Sequence, residues 1–238
     1  MNRLCQRAFG LDENKEYFIK TGTYSSKFDF RNACIRDPKE VREIGSYFLY
    51  LQNVACEAAG PLAQPSIYGM STTNEWCVRE YIPDVENNPT IYKGLPLHTE
   101  YRFFVDFTYG VILGYAPYWD ADLMKKRFCE GGVQNGDIHD FHDYVIYQSH
   151  ESKLMERYKA NAGRVAASLT EVVCAMNEHC QKNDDFALWW QWSVDIMQNG
   201  DDFWLIDMAV AENSVLYDKC VPPELRSPSR EDWLLGRP

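Results

Sequence analysis

The residues from Trp192 to Ser214 carry the strongest chemical signal in the chain. Two apolar runs flank Asn199-Gly200, a dipeptide that favours a tight hairpin. Each run holds an acid among apolar neighbours, Asp195 in the first and Asp207 in the second, and Glu212 and Asn213 follow. On paired strands the two carboxylates can stand side by side. A cluster of hard oxygen ligands beside an apolar sheet suits Mg²⁺, which takes carboxylates together with water and substrate phosphates. The alternative is a solvated hairpin whose acids face water. Towards the other end, Lys20 closes the run Tyr17-Phe18-Ile19 just before the small-residue stretch Thr21 to Ser26, and Lys27 follows. Such a stretch lets backbone amides approach a phosphate, and each lysine adds a point charge. Arg102 alternates with Phe103 and Val105, where an unpaired buried charge would cost several kcal/mol. Pairing with a phosphate or with Glu100 would relieve that cost.

The elements that position these residues are legible as an α+β pattern. A strand is expected at Tyr17–Lys20. Asp37-Pro38-Lys39-Glu40 predicts a helix start, with Asp37 as N-cap, Pro38 at the first position and Glu40 completing a capping box. The helix is expected to run to about Ala59, where Gly60-Pro61 ends it. Trp76–Ile82 reads as a strand, residues 84–99 as a polar linker, and Glu100–Phe107 with Val111–Tyr115 as a hairpin. Residues 120–150 read as irregular, 151–180 as a long helix, and the acidic hairpin comes next. Strands, then a helix, then strands predict two lobes meeting near residues 82–99. The expected division is a first lobe over 1–83, a second over 84–220 and an extended tail over 221–238, where Pro222-Pro223 and Ser227-Pro228 lie.

Composition narrows the function classes. With 35 acidic and 24 basic residues, the net charge of −11 argues against gripping nucleic-acid backbone, though a small phosphate ligand needs only a few local cations. Abundant Tyr, Phe and Trp argue against disorder. The eight cysteines are scattered without a CxxC pair, which predicts reduced thiols in a cytoplasmic protein and no structural zinc. Neither a signal peptide nor an apolar run long enough to span a membrane is present in these residues. His139 and His142 sit beside acids, but no further Cys or His cluster completes a zinc site, and solvated histidines are expected. Trp189, Trp190, Trp192 and Trp204 are expected in the core.

Taken in order, these pieces resemble the ATP-grasp superfamily, in which two α+β lobes with antiparallel sheets clamp a nucleotide. In that resemblance Lys20 and the loop carrying Lys27 cover the phosphates. Arg79-Glu80-Tyr81-Ile82-Pro83 matches the hinge strand that borders the adenine, so Glu80, Tyr81 and Ile82 are implied nucleotide contacts. Glu100 to Val105 matches the strand that supplies a phosphate-facing arginine, here Arg102, and Asp195 to Asn213 matches the Mg²⁺ hairpin. The resemblance implies ATP and Mg²⁺ as cofactors, metal ligation by Asp195, Asp207 and Asn213, and catalysis by Lys20 and Arg102. The implied reaction activates a small-molecule or peptide carboxylate as an acyl phosphate for attack by an amine or thiol. One departure concerns the metal motif, where an acid usually precedes Asn by two residues; here Met208 and Ala209 follow Asp207, and Glu212 or Asn213 would substitute. The loop Thr21–Lys27 and the strand Trp204–Asp207 also resemble the eukaryotic cell-division-cycle protein family that assists assembly of a translation initiation factor. That likeness implies an ATP-binding assembly chaperone with a protein partner.

Overall fold

The computed structural model describes residues 1–22, 24–59, 75–130, 140–182 and 190–227. The chain divides into two compact units: residues 1–97 with 127–147, and residues 98–126 with 148–238. In the first unit, helix α1 (Asn2–Phe9) leads to strand β1 (Tyr17–Thr21), a short helix α2 (Phe30–Ala33) and strand β2 (Cys34–Ile35). Helices α3 (Pro38–Arg42) and α4 (Ile44–Ala59), strand β3 (Trp76–Glu80) and the small hairpin β4 (Thr90–Ile91) and β5 (Leu95–Pro96) follow. The main sheet is antiparallel in the order β2-β1-β3. Alternation along β1 sends Tyr17 and Ile19 to one face, against Ile44, Phe48 and Leu51 of α4. That helical spacing gives α4 one apolar stripe, and the stripe seals this side of the sheet.

The expected capping box forms: the Lys39 N–H donates to Asp37 Oδ1 (2.7 Å) and the Asp37 N–H donates to Glu40 Oε2 (3.2 Å). The helix it starts is short, however. The backbone leaves helical geometry at Glu43, so the single helix expected from Pro38 to Ala59 is two, α3 and α4. Gly60-Pro61 lies outside the described residues.

The second unit is built on a four-stranded antiparallel sheet in the order β7-β6-β8-β9, with β6 Thr99–Asp106, β7 Val111–Pro117, β8 Gln191–Asn199 and β9 Asp202–Val210. Helix α5 (Ala121–Lys125) follows β7, and a π-helical turn covers Lys126–Glu130. Helix α6 (Phe141–Lys182) belongs to the second unit from Gln148 onward. Its residues Ala162, Val165, Leu169 and Val173, at helical spacing, pack on Tyr101, Phe103, Val105, Val194 and Ile196. The other face of the sheet is packed as well. There Phe104 meets Ala211, Tyr217 and Val221 from a 3-10 turn (Ala211–Asn213) and helix α7 (Tyr217–Cys220). Every residue of β6 is buried as a result.

Two expectations are corrected. The polar linker 84–99 contains the β4–β5 hairpin, turned by Tyr92, Lys93 and Gly94, all at positive φ. The described parts of the stretch 120–150 are substantially helical, at 121–130 and from 141 on, and α6 begins at Phe141, ten residues before the expected 151. The first compact unit runs from Met1 to Leu97 and also takes in 127–147. Aromatic stacking explains the return: Phe128 lies between Tyr92 (5.9 Å) and Tyr144 (5.6 Å), and the Tyr92 N–H donates to Asp143 Oδ2 at 2.9 Å. The start of the tail is also packed. Gln191 Nε2 donates to the Leu225 carbonyl (2.7 Å) and the Ser227 N–H donates back to Gln191 Oε1 (3.2 Å).

Candidate functional site

The hairpin that carries the two acids forms as expected, with Gly200 at φ 63° in its turn. Its register holds a feature that simple alternation misses. From the turn outward Asn199 faces Asp202 and Ile196 faces Leu205, a register that would bring Asp207 opposite Val194 on the apolar face. A β-bulge at Ile206 adds one residue to β9 and corrects this, so Asp207 pairs with Asp195 and Met208 takes the place opposite Val194. Met208 then joins the core against α6, and both acids share the opposite face.

The pairing continues across the whole sheet. Asp195 lies opposite Arg102 on β6, and Arg102 lies opposite Ala116 on β7. Arg102 donates from Nε to Asp195 Oδ1 (2.8 Å) and from Nη2 to Asp195 Oδ2 (2.7 Å), a planar two-point ion pair. Nη1 reaches the Val215 carbonyl at 3.4 Å, and the guanidinium lies 4.6 Å from the centre of the Tyr118 ring. The partner that closes on the buried charge by hydrogen bonds is therefore Asp195. Burial opposes the charged guanidinium, but Asp195, Asp207 and Glu100 together hold it above its usual range. Three carboxylates thus act on one guanidinium, leaving the sheet face with an excess of negative charge next to its apolar end.

The polar face of the first unit has the opposite sign. Lys20 and Phe18 share a face of β1, and β3 adds Cys77 and Arg79 beside them, while β2 adds Cys34. The Arg79 guanidinium lies 5.0 Å from the Phe18 ring centre, and that of Arg36, just past β2, lies 4.5 Å from the ring centre of Tyr81. Tyr81 is half-buried against Phe30, and burial pushes its phenol up to about 12. Cationic side chains laid on aromatic rings are held in place by them.

The remaining expected residues are distributed unevenly. Glu80 pairs with Tyr17 across the ladder, which puts it on the face opposite Lys20, exposed and in an ion pair with Lys15. Ile82 is half-buried just past β3. Lys27 opens a 3-10 turn (Lys27–Asp29), its amino group 5.4 Å from the ring centre of Phe28. The preceding loop is tied shut, because the Tyr24 N–H donates to Thr21 Oγ1 (3.0 Å) and the Thr21 N–H to the Tyr24 carbonyl (3.1 Å). Asn213 is exposed, and the residue that turns inward is Ser214, whose hydroxyl meets that of Ser193 at 2.5 Å. His142 is exposed, as expected, and His139 lies outside the described residues. Trp192 packs against the core, but Trp204 is 44% exposed because β9 is an edge strand. Trp189 lies outside the described residues.

Arg36 is the residue that sequence reasoning passed over. It follows a two-residue strand too short to show an alternating pattern, and only the pairing of β1 with β2 reveals its face. No family model, curated protein or solved structure matches this chain. Among the described residues no helix is long and apolar enough to cross a membrane, and seven cysteines are free thiols.

Proposed function

We propose that the chain is an ATP-grasp protein that binds ATP with Mg²⁺ and activates a carboxylate as an acyl phosphate for attack by an amine or thiol. The observation that carries this reading is the row Arg102–Asp195–Asp207 with Glu100 beside it, on the sheet face that α6 does not cover. The donor set fits Mg²⁺: the ligands are hard oxygens, the local charge is negative, and Asp207 is only half-buried. Asp195 spends both oxygens on Arg102, so Asp207 is the primary ligand and Asp195 contributes chiefly charge. Lys20 and Arg79, on the polar face of the first unit, supply the cations that neutralise a triphosphate and the charge that develops during phosphoryl transfer. Lys27, Tyr81 and Ile82 are auxiliary in this reading. Glu80, on the other face with Lys15, is left out of it, and so is the exposed Asn213.

Calorimetric titration of ATP with and without Mg²⁺ tests the proposal directly. Wild-type protein binds in the micromolar range only with Mg²⁺, and Asp207→Ala and Lys20→Ala each weaken binding by at least about tenfold, or ~1.4 kcal/mol. ADP release that depends on an added carboxylate and amine then identifies the ligase. Binding without turnover, together with a stoichiometric protein complex, identifies the chaperone instead. Wild-type protein that binds no nucleotide refutes both.

A further inference from the structure

The first unit holds a concave feature that the reading above does not use. It is a cavity of about 430 Å³ on the β2 side of the polar face. Three cations, Arg31, Arg36 and Lys93, line it together with Asp37, Glu40, Phe30, Cys34 and Gly94. In a chain carrying 35 acidic residues against 24 basic ones, three cations around one cavity invite the question of what neutralises them. Two are answered within the protein. Arg31 is bridged to Glu40, and Lys93 Nζ lies 3.0 Å from Asp29 Oδ1.

Arg36 is different. Its Nε donates to Cys34 Sγ at 3.1 Å and its Nη2 to the Tyr81 hydroxyl at 2.7 Å, both neutral acceptors. Among the described residues no carboxylate lies within ion-pair distance of it, and Glu16 acts on it only from further away. The two acids that line the cavity are occupied elsewhere: Asp37 accepts the Lys39 N–H, and Glu40 accepts the backbone N–H groups of Arg36 and Asp37 besides holding Arg31. The Arg36 guanidinium is thus fixed in orientation by a thiol, a phenol and an aromatic face, with donors left over from its set of five. A planar fork held this way has lost its rotational freedom before any ligand arrives, which lowers the cost of binding an oxyanion at two points.

We infer that this cavity is an oxyanion site, with Arg36 as its two-point donor and Arg31 and Lys93 as flanking charges, taking the phosphate or carboxylate group of a small ligand. Phe30, with Tyr81 packed against it, provides the apolar side of the site for the rest of that molecule. The inference stands on the first unit alone and does not depend on ATP binding.

The test is a titration of the full-length protein with inorganic phosphate and, separately, malonate, followed by the arginine Nε–H resonances in nitrogen-15 NMR spectra. The Arg36 resonance is identified by its absence in Arg36→Lys. Expected is a saturable shift of that resonance at or below about 1 mM of one probe, while the affinity for the same probe, measured on both proteins by calorimetry, falls at least about tenfold in Arg36→Lys, which keeps the charge and loses the fork. A stronger response to phosphate marks a phosphate-bearing ligand, and a stronger response to malonate marks a carboxylate. Binding persists in Asp207→Ala, which separates this result from the fate of the nucleotide reading. A shift that never saturates, equal affinity in Arg36→Lys, or binding lost in Lys20→Ala but kept in Arg36→Lys would overturn the inference.

Discussion

At the scale of single residues, the Arg102–Asp195 pair controls both stability and charge in the second unit. Taking both groups out of water is expensive, and their two-point geometry offsets that cost only while both are present. Removing one partner leaves the other charge buried and uncompensated, a penalty of about 3–5 kcal/mol. Asp195→Asn is therefore expected to destabilise the protein by roughly that amount in urea unfolding. The double replacement Arg102→Met with Asp195→Leu costs less than the sum of the two single changes, because the two-point pair is removed together and neither of its members is left facing an apolar partner. Additive effects of the two substitutions would contradict the pairing. Much of this was legible beforehand: a charged residue in the strand Glu100–Phe107 had to find a partner. Its identity was not legible, since Asp195 lies 93 positions away.

At the scale of elements, backbone details decide which side chains meet. The bulge at Ile206 rotates the end of β9 by one position, and without it Asp207 would point into the core against Val194. Gly114 has a comparable role on β7. A Cβ there would stand 2.3 Å from the Cys220 carbonyl oxygen, so only glycine lets the end of α7 lie on the sheet. Gly114→Ala forces backbone to shift and is expected to destabilise by about 1–3 kcal/mol. Gly163, exposed in the middle of α6, has no atom within 4 Å of the same construction, so Gly163→Ala is expected to stabilise by roughly 0.5–1 kcal/mol. Chemical denaturation of the two variants checks the pair, and equal effects would contradict the packing of α7 on β7.

At the scale of the whole molecule, buried tyrosines set a limit on alkaline stability. Burial raises the phenols of Tyr81 in the first unit and Tyr101 in the second to about 12. It also raises Tyr92 and Tyr158, one in each unit. In the unfolded chain these groups ionise near 10, while folded they remain neutral, so the folded state binds more protons in between. The stability they contribute is whole below about pH 10 and is lost as pH rises towards 12. Each such group steepens the fall by about 1.4 kcal/mol per pH unit. Tyrosinate absorbance is therefore expected to rise late and together with loss of structure, and urea should bring the rise back towards pH 10. Titration of every tyrosine near pH 10 with the fold intact would contradict this burial.

The amino-acid sequence alone determined the elements whose causes are local. The Asp37–Glu40 capping box, the β1 strand, the Asn199-Gly200 turn and the alternation of β6 all depend on residues within a few positions of one another. It determined the character of the acidic hairpin for the same reason. What only the tertiary structure decided are matters of register and long-range pairing: that a bulge brings Asp207 to the side of Asp195, that Arg102 closes on Asp195, and that Glu80 and Lys20 lie on opposite faces. Arg36 belongs to this second group, because its place beside Tyr81 is set by how β2 pairs with β1. Hydrogen-bond ladders join residues far apart in the chain, and a shift of one position reverses every face.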